Sequence, residues 1–319
     1  METVNNFGIL LPTRGVLVYA DGGRPRVELN WQMAETVERL GYDSVWVGDS
    51  VTSKPRLEPL TIMSALAART QRVRIGTAVM LSALRHPVHL AHALATIDNV
   101  SNGRTILGAG AGRGDNQMYV DEHEVVGIPI QERADRMEEG IRIMRSLWSG
   151  EDVTFEGDYY PLNNVTLEPH PLQDPLPIWI SSNWVRRGLK RVAEMGDAWI
   201  TNVPSVDLFE RCWDRVQENA QSVGRNAGEM PRALYISVNL NEEADALSEG
   251  DQFMQSYYSR PYEAVSKQLL CVFGPPEKCI ESINTYRKAG VTYFIVRFAS
   301  PHQMEQLNRF TRYVLPHVR

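Results

Sequence analysis

Short apolar runs with the composition of buried strands alternate with helical stripes eight times along this chain of 319 residues. Strands that alternate with helices pair in parallel through right-handed crossovers. Eight such units of about 40 residues each close most economically into a TIM barrel. The predicted strands are residues 7–12, 44–48, 73–80, 105–110, 177–181, 197–202, 233–240 and 291–298. The sequence therefore predicts an α/β protein built as a single (β/α)8 barrel.

A doubly wound parallel sheet is the alternative arrangement of the same units. Such a sheet usually carries a glycine-rich phosphate-binding sequence at its first strand–helix turn. Residues 12–15 read Pro-Thr-Arg-Gly and contain no such sequence. No shift in composition marks a boundary, so we expect one barrel domain over residues 1–319. Two insertions are predicted in it, a hairpin at about 150–170 and a long connection at 242–273.

Net charge and cysteine content narrow the class of protein. The formal net charge is −6, which argues against a nucleic-acid binder. Cys212, Cys271 and Cys279 are too few for a disulfide framework and lack zinc-site spacing, which fits a reducing compartment. The first residues form no signal peptide, and no apolar run reaches the roughly 18 residues of a membrane span. We therefore expect a cytoplasmic protein that binds neither nucleic acid nor membrane.

In a barrel, the functional site forms at the carboxyl ends of the strands. Asp49 is the only carboxylate predicted at such an end, which argues against a glycosidase with two opposed carboxylates. Glycines, hydroxyls, amides and two arginines, Arg14 and Arg297, dominate the strand ends instead, which suits a cofactor that carries the chemistry itself. Because a buried charge is costly unless paired, Arg297 either forms an inner ion pair or binds an anionic substrate.

Two stretches at strand ends leave alternatives open. The glycine-rich residues 108–114 either let the backbone approach a ligand closely or simply form a strand of small residues. Ser181, Ser182 and Asn183 precede a helix, which we expect them to cap. The N–H groups at the start of that helix can in addition bind a phosphate.

Three histidines, His86, His89 and His92, stand close together in the sequence. Positions i and i+6 diverge by about 240° on a helix, which argues against a metal ion shared by all three, and we predict no metal site. His86 follows the third strand and is retained as a site candidate. Asp49 either accepts hydrogen bonds in the site or caps the next segment.

Residues 85–112 carry the pattern R-x-P-x3-A-x3-A-T-[IL]-D-x-[LV]-S-x-G-R-x3-G-x-G-x-G. With this pattern the chain resembles the bacterial luciferase-like flavin-dependent oxidoreductases. Further matching stretches are residues 42–49, 74–79, 133–139, 147–148, 155–157, 177–180 and 196–198. The resemblance covers nearly the whole chain. It implies a (β/α)8 barrel and, in most members, a homodimer.

The resemblance also implies a cofactor and the residues that bind it. Members use reduced FMN or, in one branch, the deazaflavin F420. The flavin ring is implied to lie over the third strand, where a non-prolyl cis peptide is common, and residues 242–273 to close over it as a mobile segment. The implied cofactor-binding residues are Thr77, Ala78 and Val79 over the ring, Gly110 and Gly112 beside it, and Ser181, Ser182 and Asn183 at the phosphate.

One departure from the family pattern affects the choice of cofactor. Many members, including most that use F420, have Asp-His at the end of the second strand, where this chain has Asp49-Ser50. The leading hypothesis is therefore a monooxygenase that uses reduced FMN and O₂ on a small organic substrate, with a separate flavin reductase as partner. Asp49 and His86 are the catalytic candidates, and Arg14 and Arg297 the substrate-binding ones. The alternatives are an F420-dependent dehydrogenase or reductase that transfers hydride, and a flavin-binding protein without turnover.

Overall fold

The computed structural model describes residues 6–20 and 22–319. The strands are β1 Asn6–Leu10, β2 Ser44–Val47, β3 Arg74–Thr77, β4 Thr105–Ala109, β5 Val153–Phe155, β6 Leu162–Val165, β7 Ile178–Ser181, β8 Ala198–Thr201, β9 Arg232–Leu240, β10 Cys271–Gly274 and β11 Tyr293–Phe298. The α-helices are α1 Gly15–Val18, α2 Glu28–Arg39, α3 Pro59–Arg69, α4 Pro87–Ser101, α5 Gln117–Glu124, α6 Arg133–Ser149, α7 Arg186–Met195, α8 Val206–Ser222, α9 Glu243–Tyr258, α10 Tyr262–Val265, α11 Pro276–Lys288 and α12 Gln303–Tyr313. Among the described residues, no helix is both long and apolar enough to cross a membrane.

Eight of the strands form the parallel barrel that the sequence predicts. Their order is β9-β11-β1-β2-β3-β4-β7-β8, and β9 also pairs with β8, which closes the sheet. Ile9 of β1 lies between Val296 of β11 and Val45 of β2. All four residues of β2 are buried, as expected of a parallel strand that is covered on both faces. This is why the barrel strands could be recognised as continuous apolar runs.

The chain forms two compact units. The first unit comprises the described residues up to Trp46 together with Ile180–Arg319, and the second comprises Val47–Trp179. Both boundaries fall inside strands, β2 and β7. The prediction of a single barrel domain stays a prediction.

In the first unit, β9 is long enough to have two partners along one edge. Residues 232–234 pair with β8, and residues 237–240 pair with β10. The sequence predicted only a long connection over residues 242–273, but α9, α10 and most of β10 occupy it. Phe253 of α9 and Phe273 of β10 belong to one buried cluster. The insertion is therefore a packed helix–strand unit that adds a ninth strand to the sheet.

In the second unit, Arg104 ties the ends of α3 and α4 to the start of β3. Its side chain is buried, and Nε donates a hydrogen bond to the Ser101 carbonyl at 2.6 Å. Nη1 donates to the Thr70 hydroxyl at 2.8 Å and to the Val73 carbonyl at 2.7 Å. Nη2 donates to the carbonyls of Ala67 and Thr70 at 3.0 and 2.8 Å. The buried charge is thus compensated by oxygen atoms at the ends of the elements it joins.

The predicted hairpin is present as the antiparallel pair β5 and β6. The buried carboxylate of Glu139, on α6, holds the loop between these strands. It accepts hydrogen bonds from the backbone N–H groups of Asp158, Tyr159 and Tyr160 at 2.9, 3.0 and 2.6 Å. One carboxylate therefore fixes the loop onto the helix.

Candidate active site

In the second unit, the segment that follows β3 is held by hydrogen bonds on both sides. The Thr77 hydroxyl donates to the Gly108 carbonyl at 2.8 Å and accepts from the Gly108 N–H at 3.0 Å. The peptide bond between Ala78 and Val79, just after β3, is cis. The Ala78 N–H donates to the Val47 carbonyl at 2.7 Å. Thr77 is fully buried, whereas Ala78 and Val79 are partly exposed, so only the latter two offer a surface to a ligand.

The Asp49 carboxylate, at the end of β2, is fully buried and paired with Arg85. Arg85 Nη1 lies 2.6 Å from Oδ2 and Nη2 lies 3.0 Å from Oδ1, a bidentate arrangement. Burial by itself lowers the pKa of Arg85, but the hydrogen bonds and charge of Asp49 outweigh it and raise the pKa above its ordinary value. Oδ2 also accepts from the Leu81 N–H at 2.9 Å. These contacts give Asp49 a positioning role for residues 81–85, and its predicted catalytic role stays a prediction.

Ser50 occupies the position where many family members have histidine, and its hydroxyl is fully engaged. It donates to Glu122 Oε1 at 2.8 Å, lies 3.0 Å from Ser53 Oγ, and accepts from the Lys54 N–H at 3.0 Å. Glu122, on α5, also accepts from the N–H groups of Val51, Thr52 and Ser53 and from the Ser53 hydroxyl. One buried carboxylate therefore organises the whole loop after β2. Glu122 could not be predicted from the sequence, since its partners lie about 70 residues upstream and no local pattern connects them.

Burial acts to raise the pKa of the Glu122 carboxyl, but the hydrogen bonds from Ser50 and Ser53 lower it below its ordinary value. Glu122 is therefore a carboxylate at neutral pH. Since the Ser50 hydroxyl donates to that carboxylate, Ser50 does not replace the proton-transferring function of a histidine.

His86 is the N-terminal cap of α4 and is exposed. Its Nδ1 accepts from the Val88 N–H at 3.4 Å, and its ring packs edge-on against Tyr160, with centroids 5.2 Å apart. Burial and, secondly, the neighbouring His89 lower the pKa of His86, so the ring is neutral at pH 7. Its catalytic role stays a prediction. His89 and His92 lie exposed on α4, and within residues 6–20 and 22–319 no group of side chains could hold a metal ion.

The glycine-rich loop after β4 approaches the segment after β3. The Gly110 N–H donates to the Met80 carbonyl at 3.0 Å. Gly112 is exposed and has a φ of +72°, a conformation that favours glycine. A Cβ atom on Gly112 would lie only 3.1 Å from Leu81 Cδ2. The backbone conformation and the close approach to Leu81 thus favour glycine at position 112, and the ligand interpretation of this loop stays a prediction.

In the first unit, Ser181, Ser182 and Asn183 do not cap α7, contrary to the prediction. The cap residue is Val185, and no side chain bonds to the first N–H groups of the helix. Asn183 instead joins the end of β8, where its Nδ2 donates to Asn202 Oδ1 at 2.7 Å. The helix begins three residues later than a cap at Ser182 would require, because Ser182 and Asn183 are bonded to β8 and to Asn202 just after it. The first turn of α7 therefore has no side-chain cap and carries no acidic residue.

Arg14 and Arg297 both contact the ring of one tyrosine, Tyr257, in the first unit. Both arginines are buried, with 7 % and 3 % of their surface exposed. The Arg14 guanidinium carbon lies 4.9 Å from the centroid of the Tyr257 ring, and that of Arg297 lies 4.8 Å from the same centroid. The structure thus brings together two residues that are far apart in the sequence. Tyr257 itself was missed, because it lies in the insertion that the sequence presents as a loop.

Among the described residues Arg297 has no carboxylate partner, so the inner ion pair, one of the two alternatives left open for this residue, is absent there. Its Nη1 donates to the Tyr258 hydroxyl and its Nη2 to the Ser237 hydroxyl, both at 2.6 Å. Burial lowers its pKa, but the surrounding Tyr235, Tyr258 and other groups raise it above its ordinary value. Arg297 is therefore a permanent cation surrounded by hydroxyls and aromatic rings.

Comparison with known proteins identifies the family of this chain. Residues 5–293 match the luciferase-like monooxygenase family. The chain belongs to this family. This confirms the resemblance drawn from residues 85–112 and makes the protein an oxidoreductase of the luciferase-like type. Two similar curated proteins are F420-dependent glucose-6-phosphate dehydrogenases. The one from Amycolatopsis mediterranei is 28 % identical, over 90 % of this chain and 93 % of the relative, and the one from Kineococcus radiotolerans is 29 % identical, over 90 % and 91 %.

Solved structures of luciferase-like enzymes have the same barrel. The monooxygenase RslO1 from Streptomyces bottropensis superimposes with a TM-score of 0.83 at 24 % identity, over 98 % of this chain and 100 % of that one. An F420-dependent secondary alcohol dehydrogenase superimposes with a TM-score of 0.81 at 22 % identity, over 99 % of both chains. At these identities the likeness shows the fold, and it confirms the predicted (β/α)8 barrel.

Proposed function

We propose that this protein is an F420-dependent oxidoreductase that transfers hydride between the deazaflavin and a small organic substrate. The observation that carries the proposal is the similarity, along nine-tenths of both chains, to F420-dependent glucose-6-phosphate dehydrogenases. These relatives favour hydride transfer over the FMN-dependent oxygenation that the sequence analysis placed first. The proposal does not extend to glucose 6-phosphate as the substrate, because relatives of 28–29 % sequence identity can differ in substrate.

In the second unit, the residues after β3 fit a flat cofactor ring. Ala78 and Val79 offer small, partly exposed side chains, and the hydrogen bonds from Thr77 and Ala78 to neighbouring strands keep them rigid. Asp49 holds the Leu81 N–H and so fixes the next residues. A rigid surface of this kind orients a bound ring without the entropic cost of ordering it. F420, when bound, would supply a hydride donor or acceptor.

In the first unit, the start of α7 fits a phosphate. Its first N–H groups have no side-chain cap, and no acidic residue lies in its first turn, so the positive end of the helix dipole is uncompensated. Ser182 packs against this turn at Gly188, where a Cβ atom would collide with the serine hydroxyl. Ser181 and Ser182 are therefore proposed to bind the cofactor phosphate. Asn183 is proposed to position them, since its amide is bonded to Thr201 and Asn202.

A monooxygenase that uses reduced FMN is the second candidate, and Ser50 favours it. Most F420-using members have histidine at this position, whereas the Ser50 hydroxyl here is bonded to Glu122 and Lys54. A separate flavin reductase would be needed by this candidate. The two candidates differ in a simple property, since only oxygenation consumes O₂ in proportion to the substrate converted.

The first test of the proposal uses one glycine variant and a matched control. We expect Gly112→Ala to weaken F420 binding roughly tenfold, which corresponds to about 1.4 kcal/mol, because the new Cβ presses on Leu81. Gly127→Ala is the control, since Gly127 has a similar φ of +73° but no atom within 4 Å of the Cβ position. Each affinity can be measured by titrating F420 fluorescence against the purified protein. Failure of the wild-type protein to bind F420 would exclude the proposal, and equal loss in both variants would exclude the loop as its binding surface.

A further inference from the structure

Two positively charged side chains lie among aromatic rings in the first unit. The guanidinium groups of Arg14 and Arg297 contact the same ring, that of Tyr257, at 4.9 and 4.8 Å. Two further rings, those of Phe253 and Tyr258, lie 5.4 and 5.0 Å from the Arg297 guanidinium carbon. Aromatic faces attract cations, but they carry no net charge. The rings therefore supply no counter-charge to the Arg297 guanidinium.

The partners of Arg297 are all neutral. They are the hydroxyls of Tyr258 and Ser237 and, at 3.9 Å, the sulfur of Met254. The Nε–H group is buried and has no hydrogen-bond acceptor. A buried guanidinium with an unused donor and no counter-charge is an arrangement that proteins avoid unless a bound group completes it.

Neighbouring residues do not supply the missing negative charge. Burial raises the pKa of the Cys271 thiol to about 11, so that this group is neutral at pH 7. Burial likewise raises the pKa of the Tyr258 phenol. The carboxylate of Glu249, on α9, accepts a hydrogen bond from Asn239 Nδ2 at 3.0 Å and forms no ion pair with Arg297. None of the described groups bonded to the Arg297 guanidinium therefore carries a counter-charge for it.

A second buried atom without a partner lies on the same strand as Ser237. The side-chain oxygen of Asn239 is an acceptor that receives no hydrogen bond. Ser237 and Asn239 are two residues apart on β9, so their side chains lie on the same face of the sheet. An unused donor on Arg297 and an unused acceptor on Asn239 together suit a ligand that combines an anionic group with a hydroxyl or amino hydrogen.

Arg14 and Arg297 lie at the end of the strands where barrel enzymes bind their substrates. Arg14 follows the carboxyl end of β1, and Arg297 is the last residue but one of β11. We propose that Arg14 and Arg297 bind an oxyanion of the substrate, either a carboxylate or a phosphate ester. Guanidinium groups match both oxyanions in charge and in hydrogen-bond geometry. Assigning the oxyanion to the substrate rests on the proposed oxidoreductase function, whereas the binding of an oxyanion does not.

The test is calorimetric titration of the full-length, cofactor-free protein at constant ionic strength. The probes are acetate, benzoate and inorganic phosphate. We expect Arg297→Gln to weaken binding of the preferred probe by roughly 30-fold or more, and Arg14→Gln to weaken it as well. Arg297→Lys keeps the charge and should retain part of the affinity. Arg312→Gln is the matched control, because it removes a guanidinium that also stacks on a tyrosine ring, Tyr313, but at an exposed position.

Each outcome has a defined meaning. Tighter binding of acetate or benzoate assigns a carboxylate substrate, and tighter binding of phosphate assigns a phosphate ester. No binding by the folded wild-type protein, or equal binding by Arg297→Gln and the wild type, overturns the inference. Circular dichroism establishes that each variant is folded, and Arg14→Gln gives the test independently if Arg297→Gln does not fold.

F420 titrations of the same proteins separate the two proposals. Loss of oxyanion binding with intact F420 binding leaves the oxidoreductase proposal standing and removes only this inference. Oxyanion binding by a protein that does not bind F420 would remove the F420-dependent oxidoreductase proposal and leave the oxyanion site standing.

Discussion

Replacement of Asp49 with alanine is expected to lower the free energy of unfolding by about 3–5 kcal/mol, because it removes the buried carboxylate of the pair and leaves the mostly buried Arg85 with only a half-exposed partner, Glu58. The Asp49 carboxylate is fully buried and bonded twice to Arg85, and it also accepts from the Leu81 N–H. Glu58 remains beside Arg85 at 3.1 Å, but its side chain is 47 % exposed and compensates less. The same change releases residues 81–85, so F420 affinity is expected to fall together with stability.

Urea denaturation of wild type and variant measures the change in stability. The matched control is Asp115→Asn, which removes an exposed aspartate–arginine pair, with Arg113, from the same unit. Exposed pairs contribute at most about 1 kcal/mol, so this control should be nearly neutral. A loss for Asp49→Ala no larger than that for Asp115→Asn would show that the buried pair does not hold this segment.

Glu122→Gln is expected to lower the free energy of unfolding by about 3 kcal/mol at pH 7, since hydrogen bonds to a charged acceptor are worth about 1.5–3 kcal/mol each. The buried carboxylate accepts from the Ser50 and Ser53 hydroxyls and from three successive backbone N–H groups. Glutamine offers one accepting oxygen and turns an NH₂ group towards the remaining donors. The loop after β2 should therefore loosen.

This effect carries a pH signature. The Glu122 pKa is lowered in the folded protein relative to its ordinary value of 4.5. The carboxylate therefore contributes its full stability above about pH 4.5, and the contribution is lost as the pH falls through the lower, folded pKa. The difference between wild type and Glu122→Gln should be constant from pH 7 to 5 and shrink below pH 4.5. Glu124→Gln, an exposed change on the same helix, should show no such difference, and a gap that persists into acid would contradict the carboxylate interpretation.

The barrel could be predicted because its strands are short, apolar and buried on both faces, as in β2. The helical part of the insertion could not, because α9 begins with an acidic first turn. Strand β10, Cys271–Gly274, is defined by its pairing with residues of β9 that lie 34 positions upstream, a contact that no local pattern encodes. Local periodicity thus predicts elements whose burial is uniform and misses those that depend on a distant partner.

The same limit applies to the candidate site. Arg14 and Arg297 could be selected singly from their position at strand ends, but their shared contact with Tyr257 is created by the fold. The Ser181–Asn183 stretch was expected to cap a helix because its residue types favour caps, yet α7 begins at Arg186, and Asn183 bonds to the next strand instead. Asp49 could likewise be selected from the sequence, but its bond to Arg85, which defines its position, could not.

The cofactor is the central claim, and anaerobic competition between reduced FMN and F420 for the purified protein tests it most directly. We expect F420 to bind at least roughly tenfold more tightly than reduced FMN, an advantage of about 1.4 kcal/mol. Tight binding of reduced FMN together with weak binding of F420 would contradict it, and would establish that the engaged Ser50 excludes the deazaflavin.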